Sequence, residues 1–216
     1  MKKFLPILLL AACLFSGVAH AQHANEQMNQ VPFQELVKQF ERPDRDWWQK
    51  PGDVIAMLAP LKGRKVMDLG CGTGYFSFRL IDSGATVIAA DIDERFLAYV
   101  DSVREQRGIS KKTLQTRKVP ADNPMLEKKE ADIVLIVNTF HHLDNRVEYL
   151  KKVKYGLKSS GFIMVVDYFK KDLPLGPKPN MKQTADDVLR DLKLAGFSYF
   201  KTEETKLPYQ YIVLAM

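Results

Sequence analysis

Three alternate glycines, Gly70, Gly72 and Gly74, follow the run Val66-Met67-Asp68-Leu69 and precede a helical pattern that opens at Tyr75. A glycine-rich turn between a strand and a helix lets backbone approach a ligand closely, because glycine lacks a Cβ and adopts positive φ without penalty. The helix beyond it offers free N–H groups and partial positive charge to an anion. Such a turn suits a phosphate or a carboxylate, and two residues decide between them. A dinucleotide fingerprint puts its third glycine one position later, where this chain has Tyr75. Asp68, at the loop entrance, is awkward beside a pyrophosphate and useful beside an ammonium group. An amino-acid zwitterion meets both conditions, with its carboxylate on the N–H groups and its ammonium toward the acid. Cys71 and Thr73 fill the places between the glycines. Cys71 reads as a small residue suited to the turn and not as a nucleophile.

A second element extends that ligand. Asp91 closes the run Thr86–Asp91, twenty-one residues after Gly70. At this spacing an acid reaches the vicinal hydroxyls of a ribose bound across a parallel sheet; the plainer reading is a cap for the helix starting near Glu94. His141 and His142 follow the run Asp132–Val137 at its carboxyl end, where open α/β sheets bind ligands. An imidazole there can take a proton from a reacting group. Adjacent side chains diverge, so one histidine is expected to enter the site and the other to point away; alternatively both bond backbone at a loop bend. A metal is not expected, since no third and fourth ligand accompany the pair. Asn138, at the strand's end, can hold a ligand through its amide.

These residues need a frame. From Val54 onward apolar runs alternate with helical patterns, the signature of βαβ units on a parallel sheet. Strands are expected at Lys65–Leu69, Thr86–Asp91, Leu114–Val119, Asp132–Val137, Phe162–Tyr168, Phe197–Glu204 and Tyr209–Ala215. Ile133–Val137 (IVLIV) and Phe162–Val166 (FIMVV) are the continuous apolar runs of strands covered on both faces. Helices are expected at Tyr75–Ser83, Glu94–Gln106, Arg146–Leu157 and Thr184–Ala195, with Gly108, Gly156 and Gly196 at C-cap distance from three of them. Phe33, Leu36, Val37 and Phe40 suggest one more short helix, and Leu157–Phe162 (LKSSGF) a helix-to-strand turn. The last two strands are close enough to form an antiparallel hairpin.

DLGCGTG (Asp68–Gly74) with an acid at Asp91 resembles the first two motifs of class I S-adenosylmethionine-dependent methyltransferases. Ala121-Asp122-Asn123-Pro124 is similar to the segment that holds the adenine in that family, and Asn138–Leu143 stands where its fourth motif follows a strand. More narrowly, ERPDRDWWQKP (Glu41–Pro51), VNTFHHLDNRVEYL (Val137–Leu150) and LPYQYIV (Leu207–Val213) resemble bacterial methyltransferases near the ubiquinone-biosynthesis type that often carry a leader. The resemblance implies a Rossmann-like α/β sandwich, a seven-stranded, mostly parallel sheet with a C-terminal antiparallel β-hairpin. It implies S-adenosylmethionine as cofactor, held by Asp68, Gly70, Cys71, Gly72, Thr73, Gly74, Tyr75, Asp91, Ile92, Asp122 and Asn138. Methyl transfer from a sulfonium needs positioning more than covalent help, so His141 and His142 are candidates for a base or for holding the acceptor. Trp47 and Trp48 fit a lid over the cofactor or a seal on the sheet edge. Lys171–Pro179 (KDLPLGPKP) fits a wall of the acceptor pocket or a stiff connection.

The chain of 216 residues carries 46% apolar and 27% charged residues, ordinary for one globular domain. Lys2 and Lys3, the apolar run Phe4–Val18 and Ala19-His20-Ala21 read as an export leader (residues 1–21) cut near Ala21; the rival is a lipoprotein box, Leu10–Cys13, acylated at Cys13. Residues 22–53 then form an extension or lid and 54–216 the methyltransferase domain. The enzyme is expected outside the cytoplasmic membrane, in the periplasm, and touching a membrane only if lipidated. Without Lys2 and Lys3 the formal charge falls from +6 to +4, with bases and acids interspersed as in Glu127–Glu130, so no nucleic-acid footprint is read. Cys71 remains the one mature cysteine, which excludes an internal disulfide and disfavours arsenic as acceptor. The aromatics Trp47, Trp48, Phe140 and Tyr168 suit a small apolar or flat acceptor. The rival is an exported S-adenosylmethionine-binding protein without turnover. A nicotinamide oxidoreductase is opposed by Tyr75, Asp68 and the terminal hairpin.

Overall fold

A computed structural model describes residues 30–216. The expected leader, its cut near Ala21 and lipidation at Cys13 lie outside the described residues. Seven strands form one sheet in the order β3-β2-β1-β4-β5-β7-β6. Their bounds are β1 Lys65–Leu69, β2 Thr86–Asp91, β3 Leu114–Lys118, β4 Ala131–Val137, β5 Leu157–Tyr168, β6 Phe200–Glu203 and β7 Gln210–Ala215. The first five are parallel, and β7 runs antiparallel to both β5 and β6. This is the expected sheet with its C-terminal hairpin.

Side-chain alternation distributes the core over two faces. Val66, Ile133 and Leu135 pack with helices α3 (Pro51–Leu58), α4 (Tyr75–Asp82) and α5 (Glu94–Gln106). Met67, Val134 and Ile136 pack with α6 (Arg146–Gly156) and α7 (Ala185–Leu194). All seven residues of β4 are buried, which is why Ile133–Val137 reads as an unbroken apolar run. Strand order reverses between β1 and β4, and ligands of such sheets sit outside the carboxyl ends at that point. The glycine loop leaves β1 there and the histidine pair leaves β4.

Three local expectations change. The LKSSGF segment is not a simple turn: β5 already pairs at Leu157 with Ala131, and Phe162 pairs with Ile133, so four residues of β5 bulge opposite one of β4. Gly161 is needed there, because a Cβ would stand 2.9 Å from the carbonyl oxygens of both Asp132 and Lys158. Gly108 and Gly196 are left-handed caps, at φ +63° and +93°. Gly156 instead ends α6 inside the helix, where a Cβ would lie 2.3 Å from Leu126. The sixth strand starts at Phe200 rather than Phe197, whose ring is buried in the α7 face of the core.

Ahead of the sheet lie α1 (Phe33–Phe40), which the apolar spacing predicted, and two unpredicted helices, α2 (Arg45–Gln49) and α3. Lys50, at φ +43°, separates α2 from α3, and Pro51 starts α3 at its first position, where the missing N–H costs nothing.

Candidate active site

The glycine loop is tied to the end of β2. Gly70 and Cys71 N–H donate to the Ala90 carbonyl at 2.8 and 3.0 Å, and Gly72 N–H donates to Asp91 Oδ2 at 2.9 Å. The other Asp91 oxygen accepts from Asp93 N–H at 3.0 Å. Asp91 does not cap α5; that role belongs to Asp93, whose side chain accepts from Arg95 N–H at 2.9 Å. Gly70, Gly72 and Gly74 all have positive φ. At Gly70 a Cβ would also meet Thr139 Oγ1 at 2.3 Å, whereas at Gly63, φ +77°, nothing lies within 4 Å. Gly63→Ala should therefore cost about 1–2 kcal/mol from backbone strain alone, and Gly70→Ala about 2–5 kcal/mol once the clash is added. Urea unfolding of the two variants measures the difference, and equal losses would contradict this account.

Asp68 is buried behind the loop, its carboxylate accepting from Ser77 Oγ at 2.6 Å. Burial pushes its carboxyl up to about 6, opposed by the Ser77 hydrogen bond and the Arg45 charge. Burial also raises Asp91, while the N–H donors of Asp93 and Gly72 pull it back. Tyr75 turns from the loop: its hydroxyl donates to Asp46, and its ring lies between the guanidinium groups of Arg45 and Arg79, at 3.8 and 3.7 Å.

A cavity of about 800 Å³ runs from this loop to the histidine pair. Of the residues singled out in the sequence, Gly70, Cys71, Gly72, Thr73, Asp91, Ile92, Asn138, His141 and His142 line it. Asp68, Gly74 and Tyr75 stand behind the lining. Asp122 is exposed and outside it, its carbonyl accepting from Lys152 Nζ at 2.8 Å; Val119, Pro120 and Ala121 line the cavity in its place.

The segment carrying α1 and α2 covers the loop. The Phe40 ring lies 3.1 Å from where a Gly72 Cβ would stand and stacks on Phe96 at 5.2 Å. Glu41 accepts from the Thr73 hydroxyl. Three amides close a ring beneath α2: Gln49 donates to Gln210 at 2.7 Å, Gln210 donates to Asn138, and Asn138 donates to Gln49 at 3.3 Å. Asn138 thus lines the cavity with both ends of its amide engaged by protein. Trp48 is buried in the lining, its ring 6.1 Å from Tyr168, while Trp47 is 64% exposed against Tyr209. One tryptophan belongs to the lid and its neighbour to the hairpin side. Leu175–Lys178 also line the cavity, so the proline-rich loop is a wall.

The expectation that the histidines diverge is corrected. They sit in a single 3-10 turn, Phe140–His142, both line the cavity, and their rings are 4.2 Å apart. His141 Nδ1 lies 2.9 Å from Asp167 Oδ1. Asp167 also accepts from the backbone N–H groups of His141 and Tyr168, at 3.1 and 2.8 Å. Burial and the neighbouring His141 push His142 down to about 3, so it stays neutral. The sequence reading missed Asp167 and Arg45. Asp167 carried a usable signal, an acid closing a buried strand as Asp91 does.

The loop end fits the implied cofactor on its donor set. Arg45 lines the cavity, its Nε and Nη1 donate to the neutral oxygens of Gln49 and Phe40 at 3.1 and 2.6 Å, and it has no carboxylate partner among the described residues. A buried acid and a cation without an acid partner at one end, with a second carboxylate at Asp91, match a zwitterion joined to a polyol.

The chain matches the methyltransferase domain family over residues 60–208. Proteins named tRNA U34 carboxymethyltransferase from Proteus mirabilis and Vibrio campbellii are 31% and 29% identical over 123 residues, 56% of this chain and 36% of each of theirs. The chain thus spans about a third of the length of these relatives. A SAM-dependent methyltransferase from Aquifex aeolicus superposes with a TM-score of 0.78 at 23% identity, covering 87% of this chain and 99% of that one. A possible exported protein from Bordetella parapertussis does so at 0.62 and 14% identity, covering 77% and 66%. At these identities the structures share the fold.

Proposed function

The chain belongs to the methyltransferase domain family, with S-adenosylmethionine as its cofactor, and on that premise we propose that it transfers a methyl group to a small molecule enclosed beneath the α1–α2 lid. The observation carrying this reading is the single cavity joining the glycine loop to the histidine pair under a lid tied at Thr73 and Asn138. Its volume of about 800 Å³ is near the upper end of the roughly 300–1,000 Å³ of small-molecule sites. A polynucleotide, the acceptor that the names of the curated relatives declare, would have to enter past that lid.

When bound, the cofactor supplies a methyl group on a positively charged sulfur. In this reading Arg45 holds its carboxylate, Asp68 balances its ammonium from behind the loop, and Asp91 takes the ribose. Ile92, Val119 and Ala121 border the adenine. The lid excludes water and strengthens each of these contacts. An oriented imidazole beside the cavity supports turnover over binding alone. Residues 1–21 are read as an export leader, and the intact mass of the mature chain separates a Gln22 start from an acylated Cys13.

The test is thermal unfolding of the leader-free protein with S-adenosylmethionine, S-adenosylhomocysteine and NADH, followed by methyl transfer to a small-molecule panel and to bulk tRNA. A ligand at about a hundred times its Kd stabilises by roughly 2.7 kcal/mol, about 5–10 °C for a domain of this size. Shifts with both sulfur ligands and none with NADH are expected, with methyl groups found only in small molecules. Methylation of tRNA alone would sink the proposal.

A further inference from the structure

We infer that the acceptor is a flat molecule bearing a hydroxyl and a second oxygen, a phenol or enol methylated on the hydroxyl oxygen that His141 deprotonates. This rests on the methyl-transfer reading above. Asp167 faces the His141 ring. A carboxylate only accepts hydrogen bonds, so the ring nitrogen facing it, His141 Nδ1, carries the proton. Nε2 is then the basic nitrogen; it has no hydrogen-bond partner among the described residues, and its ring lines the cavity. Backbone N–H groups of His141 and Tyr168 fix the Asp167 carboxylate in place, so it holds one tautomer and stabilises the imidazolium once formed. A neutral amine or a thiolate attacks without first losing a proton and needs no such base. A hydroxyl does.

Trp48 supplies the second contact. Its indole N–H is buried and has no partner among the described residues, although its ring lines the cavity. Buried donors without partners are rare in folded proteins, and an indole N–H can be satisfied only by a lone pair. That calls for an oxygen on the ligand. The framework between the two anchors is set by Tyr168, whose ring centroid is 6.1 Å from Trp48 and 6.4 Å from His141. The Gly176 backbone packs on the Tyr168 ring so closely that a Cβ would come within 3.0 Å of it, which keeps the ring from turning out of the wall. Tyr168 thus stands beside both anchors, and the slot has aromatic walls. His142, neutral and with Nδ1 unpartnered among the described residues, also lines it.

The step balances. The hydroxyl proton passes to His141 Nε2. The acceptor oxygen bonds to the methyl carbon as the carbon–sulfur bond breaks, and that electron pair leaves on sulfur. The imidazolium, paired with Asp167, then returns its proton to water.

The leader-free enzyme with S-adenosylmethionine is offered 1,2-dihydroxybenzene, phenol, aniline, thiophenol and a 1,3-diketone, and products are read by mass and by methyl NMR shift. O-methylation of the dihydroxybenzene is expected, with phenol slower. Trp48→Phe should raise the KM for the dihydroxybenzene about tenfold, the loss of one buried hydrogen bond, and leave that for phenol unchanged. Asp167→Asn, which reverses the tautomer preference, should lower kcat at pH 7 roughly 10²–10⁴-fold. Its rate should climb again where the acceptor ionises unaided, while its cofactor-induced thermal shift stays. That climb separates a positioning residue from a structural one. A His141→Gln variant, tested the same way, guards against misfolding at Asp167. The inference is overturned if the cofactor binds yet oxygen acceptors are not turned over, if nitrogen, sulfur or carbon is methylated instead, or if Asp167→Asn keeps the wild-type pH profile. Absence of the cofactor shift marks the separate failure of the underlying reading.

Discussion

Asp91→Ala should lower the affinity for S-adenosylmethionine at least a hundredfold and leave the chain folded. The carboxylate accepts from Gly72 N–H at 2.9 Å and from Asp93 N–H at 3.0 Å while lining the cavity. Its loss removes the proposed ribose contact and slackens the glycine loop that lines the cavity. Hydrogen bonds to a charged group are each worth about 1.5–3 kcal/mol, so losing two such effects corresponds to at least two decades of affinity. The fold should survive because α5 keeps its own cap at Asp93 and neither β1 nor β2 loses a ladder bond. Asp91→Asn retains an acceptor for Gly72 and should fall between wild type and alanine. Titration calorimetry measures all three, and an unchanged affinity in the alanine variant would falsify the ribose assignment.

The second prediction concerns Asp68, whose substitution should stabilise the cofactor-free protein. Burial raises its carboxyl to about 6 from the usual 3.8. Between those values the native chain binds a proton that the unfolded chain has lost, so stability falls as pH rises through the window. Above pH 6 the full cost is about 3 kcal/mol. Asp68→Asn removes the charge and keeps an oxygen for Ser77. At pH 7.5 the cofactor-free variant should melt about 6–12 °C higher than wild type, with the difference vanishing near pH 4. Its affinity for S-adenosylmethionine should drop, because the acid proposed to balance the ammonium is gone.

His142 acts in the opposite sense. It stays neutral down to about pH 3, whereas an unfolded histidine takes a proton near 6.5. Stability is therefore lost as pH falls through that interval. In wild type the two groups partly offset each other between pH 4 and 6, and the asparagine variant should expose a steeper acid limb. Melting curves across pH 4–8 test both signs. A variant less stable than wild type at pH 7.5 would mean that the buried carboxylate is not strained.

Sequence alone determined the layered frame and the glycine-loop end of the cavity. Ile133–Val137 must be covered on both faces because it offers water no polar side, and that dictates a sheet between two helix layers. The loop Gly70–Gly74 and the acid Asp91 were legible because their requirements are local: positive φ, a helix start, and a fixed distance along one β-α-β unit. Tertiary structure decided the histidine end. Parallel register sets Val137 beside Val166, so the next residues, Asn138 and Asp167, emerge side by side and Asp167 meets His141. No periodicity within either segment encodes that pairing, since it depends on β4 and β5 being neighbours. The lid follows the same rule. Gln49 reaches Gln210 across 161 residues, and Trp48 finds Tyr168, only because the antiparallel β7 is laid against β5. Side-chain period reports which face of an element is buried; strand order alone reports what it is buried against.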